Sequence, residues 1–495
     1  MMMPGTEEKE PLNGITLLGL GPGATGLVTR EAWEWLGSIR TLTLRTVHHP
    51  TVSSLPKHLS IKSFDDLYEA EASFDGVYER IVETVVEMGK EPGGVTYAVP
   101  GHPYVAEATC PEIARRAKAE GIPLRVIDGL SFLEPTFTLL ELDPFDGLAL
   151  VDAIELSTRL TAIFPPTLPA LVAQIYSRQV ASDVKLTLMT AFPDEHPVRL
   201  VHQAGGENAL IEDLPLYELD HSPHLGLLSS LYIPPLSEYA SMESFQEVIV
   251  RLRAPDGCPW DREQTHLSLR PFLLEEAYEA LDALDREDPQ ALKEELGDLL
   301  LQIVLHAQIA TESGDFNLQQ VLEGIGTKLV RRHPHVFSEV KVDGVAGVTR
   351  NWEAIKAAER EEHGDLENGG LLDGIPRALP ALIQADQVIE RARRVGFDEV
   401  DNRAAPGILY ALIDRIKTAG KEEKPDLFGE LLMGLSTLAN AAGVDAESAL
   451  RASLANFRAR FAWMEKHASD AGKSLQQLSE AEMDQLWAES EAGMR

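Results

Sequence analysis

Over residues 14–240 the chain alternates short apolar runs with stretches of helical periodicity; from Ser241 onward the pattern is almost entirely helical. The runs ITLLGLG (15–21), GVTYAVPG (94–101), PLRVID (123–128), PALVAQIY (169–176) and VKLTLMT (184–190) read as strands, several with the continuous apolar character of strands buried on both faces. Strands alternating with helical segments predict an α/β fold for 14–236, mainly parallel at first and more strand-rich in its second half. The segment SLYIPPLSEYA (230–240) reads as a linker, because Pro234-Pro235 stops regular structure. Residues 1–13 read as a flexible N-terminus.

The helical part opens with an amphipathic helix after Ser268, its apolar stripe running through Leu274, Ala277, Leu281 and Leu284. Asp288-Pro289 marks a restart, with Asp as cap and Pro at the first helical position, and a second helix is expected over 289–311. The short connection makes the two antiparallel neighbours. Glu276 and Glu279 form one i,i+3 pair and Glu295 and Asp298 another. The second pair lies within or beside the stripe Leu292, Leu296, Leu299, Leu300 and Ile303, and LLLQIVLHAQIA then follows, apolar nearly all round. Carboxylates inside a bundle are costly unless paired or bound to metal, and four oxygen ligands suit Mg²⁺ or Mn²⁺. The competing reading is a solvated acidic face, the commoner fate of Glu-rich helices.

The helical part also repeats itself. The stretch 428–442 echoes 294–308 in apolar spacing, and NFRARFAWME (456–465) loosely echoes KLVRRHPHVF (328–337). At the acid positions the second copy offers Ala411, Leu412, Arg415 and Leu427, with Glu430 remaining. This divides the helical part into 237–370, with the acids, and 371–495, without them.

Composition narrows the function. Asp and Glu number 79 against 44 Lys and Arg, a net charge of −35, which argues against nucleic acid or an anionic membrane as a general partner. Two cysteines, Cys110 and Cys258, exclude a disulfide framework and a cysteine zinc site. No run of about 18 apolar residues predicts a membrane span, and MMMPGTEEKE lacks the features of a signal peptide, so a soluble cytoplasmic protein is expected.

Five motifs in order, GCPWDREQTHLSL (257–269), EExxE (275–279), ExxD (295–298), KLVRRHPHVF (328–337) and NWEAIKAAER (351–360), resemble MazG nucleoside triphosphate pyrophosphohydrolases. GLGPG (19–23), YAVPGHP (97–103), GLSFLEP (129–135) and LYIPP (231–235) are similar to the tetrapyrrole methylase family. The order looks like the YabN-type fusion of a methylase-like domain with MazG. The resemblance implies an all-α, dimeric C-terminal part with two MazG modules, hydrolysing nucleoside triphosphates to monophosphate and pyrophosphate with Mg²⁺. In the N-terminal part it implies S-adenosylmethionine binding near Pro100, Gly101, His102, Pro103, Val105, Ser131 and Phe132, with Gly19, Gly21 and Gly23 in the first glycine loop, and a tetrapyrrole-like substrate. Two departures bear on methyl transfer: Gly101-His102-Pro103 replaces the family's usual Gly-Asp-Pro, and Ala24-Thr25 stand where an acid usually follows the first glycines.

Within that resemblance Glu276, Glu279, Glu295 and Asp298 are the expected metal ligands, and Glu275 the residue that orients or deprotonates water. Lys328, Arg331 and Lys356 are the expected phosphate contacts, with Arg332, Arg360 and Trp352 beside them in sequence. Trp260 reads equally as a base-stacking or a core residue, and His333 and His335 as helix terminators around Pro334. A di-iron bundle is disfavoured, since its Glu-x-x-His pairs are missing apart from Glu263 and His266. The non-enzymatic alternative is a sensor of S-adenosylmethionine or a tetrapyrrole.

Overall fold

The computed structural model describes residues 13–70, 74–362, 370–397 and 405–493 and separates into two compact units, Met1–Arg262 and Glu263–Arg495. The expected flexible segment 1–13 lies, except for Asn13, outside the described residues. Both fold classes are as expected: α/β in the first unit, all-helical in the second. Among the described residues no single helix is long and apolar enough to cross a membrane.

The first unit holds two five-stranded sheets. Strands β1 (Ile15–Gly19), β2 (Thr41–Leu44), β3 (Ser60–Ser63), β4 (Val95–Val99) and β5 (Leu124–Ile127) are ordered β3-β2-β4-β1-β5, all parallel. Helix α1 (Arg30–Ser38) covers one face, packing Ala32 and Leu36 on Leu18, Leu42 and Ala98. Helices α2 (Phe74–Lys90) and α3 (Thr109–Glu120) cover the other, packing Ile81, Val85 and Ile113 on Ile15, Leu17 and Tyr97. Two-sided burial is why ITLLGLG carries no polar alternation.

The second sheet is mostly antiparallel and follows α4 (Leu133–Leu140). Strands β6 (Ala149–Asp152), β7 (Ala170–Ala173), β8 (Pro197–His202), β9 (Leu210–Pro215) and β10 (Ser229–Ile233) are ordered β6-β7-β10-β8-β9, and only β6 and β7 pair in parallel. Two sequence expectations fail here. VKLTLMT falls at the end of a helix, α5 (Arg178–Leu188), capped by Ser177 and burying Val180, Ala181, Val184 and Leu188. That helical spacing begins upstream of the apolar run, which alone cannot distinguish helix from strand. The first residues of the expected linker form β10, paired on both sides, and regular pairing ends at Pro234. Helix α6 (Met242–Arg253), capped by Ser241, then remains with the first unit.

The second unit comprises α7 (His266–Asp285), α8 (Pro289–Ser313), α9 (Leu318–Arg332), α10 (Gly344–Glu362), α11 (Ala381–Arg394), α12 (Pro406–Thr418), α13 (Lys424–Ala441), α14 (Ala446–Asp470) and α15 (Glu480–Gly493). Helix α7 starts a turn earlier than Ser268 suggested. Thr265 is the cap and Ser268 its reciprocal partner in a capping box, an arrangement worth about 1 kcal/mol. Asp288 caps α8 by accepting from the N–H groups of Gln290 and Ala291, as the Asp-Pro pair predicts. The pair is antiparallel: His266, at the start of α7, meets His306, late in α8, with Nδ1 atoms 2.8 Å apart and rings stacked at 5.0 Å. One nitrogen must donate and the other accept.

The buried residues of α7 are Leu269, Ala280 and Ala283, the last two of them small. The stripe read from sequence instead stays open in one chain: Leu274, Leu281, Leu284, Leu296 and Ile303 are 43–54% exposed. From Gln302 onward α8 is buried at Val304, Leu305, Ala307, Ile309 and Ala310. Gln302 Oε1 and His306 Nε2 are buried there without a partner in the structure.

Burial, followed by the neighbouring His266, lowers the His306 pKa below its usual 6.5. The unfolded chain therefore binds more protons than the folded one just below that value. Stability contributed by neutral His306 is present above 6.5 and is lost as pH falls from there through the lowered folded value. The melting temperature of the helical unit should drop between about pH 7.5 and about pH 5.5, and His306→Gln should reduce that drop. An unchanged pH dependence in His306→Gln would remove His306 as its source.

Candidate functional site

The α7–α8 pair decides where the acids meet. Glu275, Glu276 and Glu279 descend from α7, and Glu295 and Asp298 rise from α8. Glu276, Glu295 and Asp298 each offer one carboxylate oxygen, all within 4.8 Å of one another, and all three side chains are half-buried. Glu279 is exposed and shares a hydrogen bond with Glu295, so it stands beside the three. Glu275 is exposed and acts on Glu276 through its charge. Two oxygens bound to one Mg²⁺ or Ca²⁺-sized ion at about 2.0–2.5 Å lie no more than about 5 Å apart, so the trio fits one hard cation.

The electrostatics agree with that geometry. Burial raises the Glu276 pKa, and Asp298, Glu279, Glu275 and Glu295 push it further. Glu295 is raised by burial, then by Glu279, Asp298 and Glu294, and by the hydrogen bond to Glu279. The carboxylates therefore repel one another in a partly dehydrated seam, where a divalent cation relieves the strain.

The expected phosphate contacts form a second polar group on α9 and α10. Arg331 and Arg332 both reach Glu359, each at 2.5 Å. The hydrogen bond from Arg332, reinforced by Arg331 against the effect of burial, lowers Glu359 to about 2. Lys356 lies 4.0 Å over the Trp352 ring. Lys328 is exposed one turn before Arg331, and the side chain of Arg360 is outside the described residues. Glu359 was not singled out from sequence, because nothing in NWEAIKAAER distinguishes it from its neighbours. His333 caps the end of α9, as Pro334 suggested, while His335 Nδ1 is buried without a partner in the structure. Trp260 is 55% exposed, which rules out its reading as a core residue.

In the first unit the glycine loops converge at the carboxyl ends of β1, β4 and β5, the usual ligand crevice of a parallel sheet. Gly21 and Gly101, with φ of +73° and +69°, exchange backbone hydrogen bonds of 3.2 and 2.8 Å. A Cβ on Gly19 would stand 2.5 Å from the Gly101 carbonyl, and one on Gly129 2.2 Å from the same oxygen. Gly19 and Gly129 thus serve close backbone packing, whereas a Cβ on Gly101 would meet only the Ser131 Cα, at 3.9 Å. Gly101 therefore leaves open space on the crevice side. Gly23 also has a positive φ, and the next N–H, of Ala24, donates to Gly205 O at 2.8 Å.

Pro100, Gly101, His102, Pro103 and Val105 form the turn after β4, closed by the Val105 N–H donating to His102 O. His102 Nδ1 accepts from the Tyr104 N–H, which leaves Nε2 to carry the proton toward Asp128, 3.4 Å away. Ser131 is buried and donates its hydroxyl to Glu134 at 2.6 Å, and Phe132 packs beside Leu140 and Leu171. Asp128 and Gly129 went unremarked in the sequence as site residues, although Gly129 opens the GLSFLEP motif and Asp128 immediately precedes it.

Residues 14–220 match the family described as Tetrapyrrole (Corrin/Porphyrin) Methylases, and residues 264–337 match the MazG nucleotide pyrophosphohydrolase domain. A Bacillus subtilis (strain 168) protein named YabN is 39% identical over 487 residues, covering 96% of this chain and 98% of its own. The nucleoside triphosphate pyrophosphohydrolase/pyrophosphatase MazG of Thermotoga maritima is 37% identical, covering 51% of this chain and 96% of its own. The nucleoside triphosphate pyrophosphohydrolase of Escherichia coli (strain K12) is also 37% identical, covering 48% of this chain and 93% of its own. With a full-length relative at that identity, and both domains in that order, the chain belongs to the YabN-type family that joins a tetrapyrrole methylase-like domain to MazG.

Proposed function

We propose that the second unit hydrolyses nucleoside triphosphates to nucleoside monophosphate and pyrophosphate, with Mg²⁺, or Mn²⁺ in its place, held by Glu276, Glu295 and Asp298 and supported by Glu279. The observation that carries this reading is the mutual approach of three half-buried carboxylates within 4.8 Å. Bound there, the cation supplies an acidified water and offsets phosphate charge. Glu275, exposed at the rim, orients the water that attacks the α-phosphorus. Lys328, Arg331 and Lys356 receive the phosphate chain and the charge of the leaving pyrophosphate. The relatives' names support the substrate class.

The second repeat supports the fold without catalysing. Leu412 and Leu427, at its acid positions, are buried at 7% and 5% exposure. The open apolar stripe of α7 and α8 supports a homodimer or higher homo-oligomer in the cytoplasm, with no nucleic acid or membrane partner.

For the first unit we infer S-adenosylmethionine binding over the Gly101 turn, with Gly21 and Gly23 shaping the neighbouring loop and His102, Pro103, Val105, Ser131 and Phe132 around it. The open space at Gly101 supports a close ligand. His102 and Ala24-Thr25, in place of acids, favour binding over methyl transfer to a tetrapyrrole-like acceptor.

Pyrophosphate release, screened over the nucleoside triphosphates with Mg²⁺, should fall by more than about 100-fold in Glu295→Ala and stay unchanged in Glu430→Gln. Retained release in Glu295→Ala refutes the ligand set. The raised Glu295 pKa also has a signed consequence: stability associated with its protonated form is present below the usual 4.5 and lost as pH rises through the folded value. At neutral pH and without metal, Glu295→Gln should therefore melt higher than the wild type, while losing the upward shift that Mg²⁺ confers. A separate calorimetric titration should detect S-adenosylmethionine or its demethylated product binding to the chain. Heat-silent titrations that also leave the melting temperature unmoved would leave the first unit as a scaffold.

A further inference from the structure

Arg451 stands near the start of α14, in the repeat that lacks the carboxylates, and reaches α7, in the repeat that has them. Its Nη2 donates to Asp285 Oδ2 at 2.9 Å, its Nε lies 3.3 Å from the same oxygen, and its guanidinium carbon lies 5.8 Å from the Tyr278 ring centre. The two ends of this contact are 166 residues apart in sequence. The arginine side chain is only 24% exposed, against 53% for Asp285.

Asp285 is the last residue of α7, and Tyr278 precedes it by close to two helical turns on the same face. Tyr278 is two residues from Glu276, about 200° around the helix, so this face lies opposite the one that presents Glu276 to α8. Arg451 thus grips the back of the helix whose front carries acid. The front needs that restraint. Glu276 is repelled by Asp298, Glu279, Glu275 and Glu295, and toward the end of α7 beyond it the buried side chains are the small ones of Ala280 and Ala283. Small side chains allow close approach but resist rotation of a helix weakly.

We propose that Arg451 is a positioning residue for the metal site: by holding Tyr278 and Asp285 it fixes the rotation of α7, so that Glu276 stays opposed to Glu295 and Asp298. The second repeat, with no carboxylate site of its own, thereby sets the geometry of the first. This rests on the metal reading of those three carboxylates.

The test uses the full chain as wild type, Arg451→Ala, Arg451→Lys and the exchanged pair Arg451→Asp with Asp285→Arg. Three quantities are measured: Mn²⁺ affinity by paramagnetic resonance, amide hydrogen exchange of the metal-free protein, and pyrophosphate release. Arg451→Ala should weaken Mn²⁺ binding about tenfold, speed exchange over 270–285 while leaving 424–441 as in the wild type, and lower kcat more than it raises KM. Arg451→Lys should retain part of the affinity, and the exchanged pair should restore most of it. Wild-type exchange over 270–285 together with wild-type Mn²⁺ affinity in Arg451→Ala overturns the proposal. So does a loss that spreads equally to 424–441 and is not restored by the exchanged pair. Wild-type chain that binds Mn²⁺ but releases no pyrophosphate refutes the hydrolase reading, and the affinity comparison still decides the role of Arg451. Wild-type chain that binds no Mn²⁺ refutes the metal reading, and the exchange comparison then decides it.

Discussion

The helical unit is organised around a repulsion. Glu276, Glu295 and Asp298 are held within 4.8 Å of one another in a seam that shelters them in part from water, and every neighbouring acid raises the cost. Such an arrangement persists only where the backbone leaves no alternative. The Asp288-Pro289 turn fixes the register of α7 against α8, the capping box at Thr265 fixes where α7 begins, and the His266–His306 contact closes the far end of the pair. The repulsion stored there is energy that a bound cation would release, which is the physical basis of the metal reading proposed for this seam.

The methylase-like unit solves a different problem, that of bringing three turns together at one end of a sheet. Glycines at 19 and 129 let backbone touch backbone, whereas at Gly101 a side chain would meet nothing nearer than 3.9 Å. A glycine-rich signature thus mixes two demands, packing of loops on loops and approach of a ligand, and the sequence alone cannot separate them. In the same loops His102 is oriented by the Tyr104 amide and faces Asp128, an acid that follows the end of another strand.

Much of this was legible in the chain because local chemistry was strong. Asp288-Pro289 announces a helix restart, EExxE and ExxD announce a shared face, and ITLLGLG announces a strand covered on both sides. What was not legible depended on partners distant in sequence. VKLTLMT is apolar in either period, and only Val180 and Ala181 upstream mark it as helix. LYIPP contains both the last strand and its stop, and the pairing of β10 with β7 and β8 could not be read from its own residues. Glu359 has no local signature, because its role comes from two arginines on another helix. The α7 stripe through Leu274, Leu281 and Leu284 had the right period but is not the face that one chain buries.

The two repeats share more than apolar spacing. Arg332 binds Glu359 on the helix that follows, 27 residues on, and Arg460 binds the carbonyl of Trp487, again 27 residues on. The architecture was kept while the chemistry changed. In the first repeat the arginine meets a carboxylate, an anion that a phosphate can replace. In the second its Nε donates to the Ser490 hydroxyl and its guanidinium lies 3.7 Å over the indole of Trp487. Those two partners are neutral, one of them aromatic, and the Glu491 carboxylate stands further off, 4.0 Å from Nη2. In the second repeat leucines fill the seam and the arginine docks the helix that follows, so packing stands where charge stands in the first.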